Sequence, residues 1–295
     1  MRSPSHRVER AQPHLGTTIR IWVEGLDEER GHRLISQAFQ RVAEVHRLMS
    51  FHSPESELNR LHRLAWWTCV PVHDYTRRVL ARALHVAALS EGVFDPTLAP
   101  ALVSSGLLPR PDAIEVDPAA TWKDIELSAD GSVTFKKPLW IDLGGIAKGF
   151  AVDCAMDLIR AAGPSAACVD AGGDLSLIGA ESAEVHLVTP SAGDLCPVLR
   201  VRDACIASSG SQHHHGDEHG LVCPHVDTRA KAFCGTNRFV TVVAPRCIDA
   251  DALTKVVMAV GPAAAPVLAH FQAEAFLCEG STWIRIPDDD PIHPH

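Results

Sequence analysis

The stretch Trp140-Ile141-Asp142-Leu143-Gly144-Gly145-Ile146-Ala147-Lys148-Gly149-Phe150-Ala151-Val152-Asp153 constrains this chain most. It reads as a buried strand ending at an acid, a turn on paired glycines, and a helix that carries a lysine in its first turn. Such a turn brings backbone N–H groups, a helix N-terminus and an ammonium group to one point, which suits a phosphate. Neither GxxxxGK[ST] nor GxGxxG is present in this segment, so it is not a Walker loop or a Rossmann fingerprint. Taken alone, the segment reads equally well as a Gly-Gly turn beside a surface lysine.

At 295 residues the chain has room for one large domain or two small ones, with a core of ordinary size. Its net charge of −9 disfavours nucleic acid as a partner, although local geometry still permits an anionic ligand. No apolar run approaches the ~20 residues of a membrane span. The polar start, Met1 to Arg7, lacks the apolar core of a signal peptide. The nine cysteines form no CxxC pair, an odd and scattered set that fits a reducing compartment. These features predict a cytoplasmic protein with no membrane span.

Residues 17–24 alternate as a strand with Ile19, Ile21 and Val23 on one face. Helices are predicted over 28–48, after Ser53-Pro54 with Ser53 as cap, over 73–90 and over 146–161 up to Gly163. Asp130-Gly131 marks a hairpin. Strands follow near 166–170, 174–178, 184–188, 197–201, 204–207 and 238–244. A helix opens at Asp249 or Ala250, another begins beyond Pro262, and strands near 274–278 and 282–286 complete the set. Hairpins with interspersed helices and no clean linker predict an α+β or mixed α/β unit over 16–286. The flanks are a flexible N-terminus over 1–15 and a disordered acidic and histidine-bearing tail over 287–295.

Six segments in order carry a resemblance: Ser50-Phe51-His52-Ser53-Pro54-Glu55-Ser56-Glu57, Glu91-Gly92-Val93-Phe94-Asp95-Pro96-Thr97, the glycine turn, Asp170-Ala171-Gly172-Gly173-Asp174, Ala207-Ser208-Ser209-Gly210, and Ala250-Asp251-Ala252-Leu253-Thr254-Lys255. Together they resemble the FAD:protein FMN transferases, the ApbE flavin transferases, from about Gly16 to about Ile286. The resemblance implies two packed subdomains with the flavin site between them. It also implies Mg²⁺-dependent transfer of FMN from FAD to a threonine or serine hydroxyl of an acceptor flavoprotein subunit, with AMP released. Many members are exported or lipid-anchored, and this N-terminus departs from them.

Under the resemblance, Asp251 is a Mg²⁺ ligand, joined by the carbonyl of Ala147 and by a threonine four residues after the acid. Here that position is Lys255, so Thr254 substitutes as a ligand or Lys255 contacts phosphate itself. Read bottom-up, Asp251 is equally a first-turn acid favoured by the helix dipole. Lys148 would lie beside the pyrophosphate as a point charge; the plain alternative is a solvated helix lysine. The flavin contacts implied are Ser50, Phe94, Asp95, Thr97, Lys148, Gly149, Asp153, Gly172, Gly173, Asp174, Ser208 and Ser209. Several have structural alternatives: Asp95 or Thr97 as an N-cap, Phe94 as core, the glycines as a tight turn, and the serines as turn closers.

The family's histidine stands three residues before an acid. Asp227 and Arg229 align, but Pro224 holds the histidine position and His225 comes one residue late. His225 is therefore either the base that takes the acceptor's proton or a surface histidine. The run His213-His214-His215-Gly216-Asp217-Glu218-His219 reads as a solvated loop, with weak transition-metal binding as the alternative. Two rival functions remain in view: an FAD-binding or trafficking protein that transfers nothing, and a Mg²⁺-dependent FAD pyrophosphatase.

Overall fold

Apolar residues at alternate positions produce a sheet with two buried faces. A computed structural model describes residues 7–179, 183–187, 198–210, 212–213, 221–222, 225–227, 232–234, 238–280, 282–287 and 291–292. Its main sheet contains β1 (Arg7–His14), β2 (Thr17–Glu24), β3 (Ala166–Asp170), β4 (Asp174–Gly179), β5 (Cys205–Gly210), β6 (Arg238–Ala244), β7 (Glu274–Glu279), β8 (Thr282–Ile286) and β9 (Pro291–Ile292). They lie side by side in chain order, and every neighbouring pair is antiparallel. Register sets Ile21 opposite Val169 and Ala207 opposite Val242. One face presents Ile19, Ile21, Val23, Val169, Val240, Val242, Ala275 and Leu277 to the helices. Alternate residues Phe276 and Cys278 join Trp283 and Leu187 on the other face. Each fully buried Ile or Leu contributes about 2 kcal/mol of apolar burial.

Between β2 and β3 the chain inserts α1 (Glu28–Met49), α2 (Glu57–Leu64), α3 (Asp74–Leu89), α4 (Ala99–Ser104) and α5 (Ala147–Ala162). A small sheet of Val70–Pro71, Ser132–Phe135 and Ile125–Leu127 belongs to the same insertion, and its hairpin turns at Gly131 with φ +87°. Between β6 and β7 come α6 (Cys247–Val260) and α7 (Ala265–His270). In α1, Asp27 accepts the Arg30 N–H at 2.8 Å, and Leu34, Phe39, Val42, Val45 and Leu48 are buried as their spacing predicts. Helix α1 packs on α5, α5 packs on α6, and α6 lies against β5 and β6.

The α5–α6 crossing is held from both sides. Neither helix has a side-chain cap of its own. Instead the Asp251 Oδ2 of α6 accepts the Gly149 N–H of α5 at 3.0 Å. In return, Asp153 of α5 accepts the N–H groups of Cys247 and Ile248, each at 3.0 Å, so α6 starts at Cys247 and not at Asp249. The helices touch at Gly149, where an added Cβ would stand 2.2 Å from the Cys247 carbonyl oxygen and 2.8 Å from the Asp251 Cβ.

Several sequence expectations change. Residues 7–14 are not flexible: β1 pairs along its whole length with β2, and Val8 is buried. In the C-terminal tail, Pro291 and Ile292 pair with Ile284 and Trp283 of β8. The α2 cap is Ser56, which accepts the Asn59 N–H at 3.1 Å, and not Ser53. The stretch Cys247–His270 has the length and apolarity of a membrane span. It is two core helices interrupted at Gly261-Pro262, with Leu253, Val257 and Leu268 fully buried.

Residues 140–143 form no strand. Polar groups outside any ladder hold them. Pro96 O accepts the Asp142 N–H at 2.7 Å, and the Nε2 of buried His62 lies 3.1 Å from the Ile141 N–H. The His62 Nδ1 lies 3.1 Å from Asn59 Oδ1, while the Asn59 amide group donates to Phe51 O and Ser53 O. The Asn59 Oδ1 acceptor places a proton on Nδ1, and Nε2 faces both the N–H of Ile141 and, at 3.0 Å, its carbonyl oxygen.

Burial pushes the His62 pKa down to about 4 from 6.5. As pH falls, the unfolded chain binds this proton first. Stability that is complete above pH 6.5 should therefore be lost between pH 6.5 and 4, by about 3 kcal/mol in all. Urea unfolding across that window should show a shallower loss in His62→Gln than in the wild type, and an equal loss in the two would show that His62 titrates alike in the folded and unfolded chains. Gly149→Ala should lower stability by about 3 kcal/mol or more, because backbone must move to admit the methyl group. Thermal unfolding without any flavin should already show the loss.

Candidate active site

A cavity of about 930 Å³ opens between the insertion and the sheet. Ligand pockets of this size are common for cofactors. Its apolar wall is Phe94 after α3, Leu98, and Leu102, Leu107 and Leu108 in and after α4. The opposite wall comes from the β3–β4 turn at Gly172-Gly173, the end of β5 at Ser208-Ser209, Phe239 of β6, and His225. The floor is the glycine turn, Asp142, Gly144 and Gly145, together with Lys148 and Lys255.

Lys148 stands in the first turn of α5, and its ammonium pairs with Oδ2 of fully buried Asp174, the first residue of β4. Lys255 stands on α6 four residues after Asp251. Its Nζ lies 2.6 Å from Asp251 Oδ1, 3.1 Å from Ser209 Oγ and 3.0 Å from Thr254 Oγ1. The Thr254 hydroxyl donates to Asp251 O at 2.7 Å and lies 2.8 Å from Ser209 Oγ. A Cβ on Gly145 would stand 3.3 Å from Lys255 Cε, so the bare glycine leaves the lysine room beside the turn.

Burial alone would raise the Asp251 pKa, but the Lys148 and Lys255 charges outweigh it and hold the carboxyl below its usual range. Burial and the Asp251 charge push Asp174 up to about 6, against the pull of Lys148. Burial alone would lower the Lys148 pKa; the Asp251 and Asp174 charges overcome it and raise the value. Burial, reinforced by Lys255 and Lys148, pushes the His225 imidazole down to about 3. The site therefore pairs the Lys148 ammonium with Asp174, keeps Asp251 ionised and His225 neutral at pH 7, and adds Asp142, an acid whose pKa burial raises.

The structure brings Phe94, Asp95, Lys148, Gly172, Gly173, Ser208, Ser209 and His225 to the cavity wall. Asp95 also caps the turn after it, accepting the Thr97 N–H at 2.8 Å and its hydroxyl at 2.7 Å. Thr97 is thereby engaged, and it does not line the cavity. Gly172 has φ +70°, and a Cβ there would lie 2.3 Å from Thr17 Oγ1, so only glycine fits. Asp174, Asp251 and Thr254 lie buried behind the wall.

Three expected flavin contacts and one expected metal ligand fall elsewhere. Ser50 ends α1 as its C-cap. Gly149 is buried in the α5–α6 crossing, and Asp153 caps α6 there while pairing with Arg246 at 3.3 Å. Ala147 donates its N–H to Leu143 O at 2.8 Å and does not line the cavity. The glycine turn also keeps most of its amides for itself. Gly144 donates to Asp142 Oδ1 and Ile146 to Leu143 O, both at 3.0 Å, so the ammonium groups rather than an amide nest supply the positive charge. Arg229 and His214–His219 lie outside the described residues, as does the side chain of Asp227. Sequence reasoning missed the leucine wall and the contact of Asp142 with the cavity. Leu98 and Leu102 stand four apart, the one helical signal for that wall.

Comparison with known proteins extends this geometry. In solved structures, the fold matches the flavin transferase ApbE from Vibrio cholerae with a TM-score of 0.82 and 22% identity, over 97% of this chain and 98% of that one. It matches the ApbE protein of Thermotoga maritima with a TM-score of 0.83 and 21% identity, over 95% and 97% of the two chains. By sequence, the FAD:protein FMN transferase of Vibrio cholerae is 26% identical over 276 residues, 88% of this chain and 83% of that one. That of Treponema pallidum is 26% identical over 283 residues, 85% and 78% of the two chains. The sequence model described as the ApbE family matches residues 15–277, which take in the glycine turn, both lysines, His225 and the whole α5–α6 crossing, and the chain therefore belongs to the ApbE family.

Proposed function

We propose that this protein transfers FMN from FAD to a threonine or serine hydroxyl of an acceptor flavoprotein subunit and releases AMP. The observation that carries the reading is the convergence of Lys148, Lys255 and neutral His225 on one cavity with an apolar wall. In this reading the flat, apolar flavin ring packs on Phe94 and the leucines, and the pyrophosphate faces the two ammonium groups. The acceptor oxygen attacks the phosphorus of the FMN half. A P–O bond forms there as the P–O bond to AMP breaks, and the bridging oxygen leaves with AMP. His225 takes the hydroxyl proton. An imidazole with a pKa near 3 is a weak base in the free protein. The pyrophosphate's negative charge opposes the two lysines and raises that basicity once FAD is bound.

Mg²⁺ belongs to the finer form of this reading, with Asp251, Thr254 and the Ala147 carbonyl as its ligands. The residues present do not fit it. Asp251 gives Oδ1 to Lys255 and Oδ2 to Gly149, and the Thr254 hydroxyl is bonded to Asp251 O. Asp174 Oδ1 is buried with no hydrogen-bond partner, but a single oxygen beside two lysines is no magnesium site. No step above is routed through a metal. We place the protein in a reducing, cytoplasmic compartment, because its nine cysteines are an odd, scattered set with no CxxC pair.

Incubation with FAD and a candidate acceptor should yield AMP together with an acceptor heavier by one FMN, read by chromatography and mass spectrometry. AMP released at the same rate without acceptor would make the protein an FAD pyrophosphatase, and tight FAD binding without AMP would make it a flavin carrier. His225→Ala should slow transfer on the order of 10²–10⁴-fold while FAD affinity stays near wild type. Transfer at the wild-type rate would move the base elsewhere. Lys148→Met should weaken FAD binding far more than riboflavin binding, measured by flavin fluorescence, since only FAD carries the phosphates that Lys148 would face.

A further inference from the structure

We infer that the Lys255 ammonium is the resident cation of this site, standing where a divalent metal would otherwise bind, so that the protein works without a divalent metal. The inference rests on the assignment of this cavity as the flavin site. Lys255 is four-fifths buried and reaches the cavity. Its three N–H donors meet three oxygens, Asp251 Oδ1 at 2.6 Å, Thr254 Oγ1 at 3.0 Å and Ser209 Oγ at 3.1 Å. A carboxylate and two hydroxyls are hard oxygen donors of the kind magnesium prefers, and here an ammonium group has collected them.

Two further observations point the same way. The remaining oxygen of Asp251 is bound to the Gly149 N–H, within the helix crossing that Gly149 allows. Turning the carboxylate toward a metal would break that bond as well as the Lys255 pair. Lys148 and Lys255 are set against Asp174 and Asp251, so each of these carboxylates already has a cation. A divalent ion on the same oxygens would be in contact with an ammonium group of like sign. Among the described residues no group of three or more His, Cys, Asp or Glu side chains is arranged to hold a metal. Lys255 adds charge opposite the pyrophosphate and alters none of the bond changes given above. It forms no covalent bond, and the proton still goes to His225.

Mn²⁺ titration in the presence of FAD, with free Mn²⁺ read by electron paramagnetic resonance, tests this without any acceptor protein. The full-length wild type should show no saturable uptake. Lys255→Thr and Lys255→Ala, each checked for folding by circular dichroism, should gain one saturable Mn²⁺ per chain. Adding Asp251→Asn to either should abolish it. Saturable uptake by the wild type that Asp251→Asn removes would overturn the inference, as would folded Lys255 variants that gain none. Where an acceptor is in hand, FMN transfer should be unchanged by EDTA; transfer stopped by EDTA and restored by Mg²⁺ overturns it too. A protein that transfers nothing yet shows the predicted Mn²⁺ pattern keeps Lys255 as the cation and removes the transferase reading alone.

Discussion

Everything at the site depends on two helices that cap each other. Helix α5 begins at Ala147 and α6 at Cys247 without a capping side chain of their own. Each leaves first-turn N–H groups that need an acceptor. Asp251 supplies one to α5, and Asp153 supplies two to α6. The arrangement works only at close range, which Gly149 permits because the facing Cys247 carbonyl occupies the space a methyl group would need. Carboxylates at helix N-termini are also favoured by the helix dipoles, so both acids are doubly suited to where they stand. The same contact points Lys148 and Lys255, from two different helices, at one floor.

That floor is electrostatically tight. Two buried carboxylates would be costly alone, and each has an ammonium partner. Burial first, and the ammonium groups after it, depress the imidazole of His225. The site is thus arranged for an anion. A ligand with a doubly charged pyrophosphate changes its electrostatic balance, and with it the basicity of His225, which faces the cavity. The leucine wall and Phe94 exclude water on the far side and strengthen these interactions.

Periodic features were legible in the sequence. The alternation of Ile19, Ile21 and Val23 and the helical spacing of Leu34 through Leu48 placed β2 and α1 closely, because burial on one face is written as a period. The left-handed glycines at 131 and 163 marked a turn and a helix end for the same local reason. Asp153 and Ser50 were read as flavin contacts because they lie in motifs, yet their partners are structural. Asp153 serves residues 94 and 95 positions away, and no local pattern encodes that. The segment 140–143 looked like a strand because it is apolar. Its partners are the His62 ring and the Pro96 carbonyl, which only the tertiary fold brings near. Residues 7–14 looked like a tail because Arg7, Glu9 and Arg10 are polar, but an edge strand needs few apolar side chains when one face meets water.

The two departures from the family pattern have different consequences because they sit on different kinds of backbone. On a helix, moving from position 254 to 255 turns a side chain by about 100°. Thr254 therefore turns back and bonds the Asp251 carbonyl, while Lys255, one full turn from Asp251, lies over its carboxylate. A threonine and a lysine at these adjacent positions cannot exchange roles. His225 precedes a short strand, Val226–Asp227, and is not itself part of its ladder. Its carbonyl accepts the Cys234 N–H at 2.8 Å, and its ring still reaches the cavity. The imidazole of His225 lines the cavity despite its shift in sequence, and Lys255 pairs with the Asp251 carboxylate.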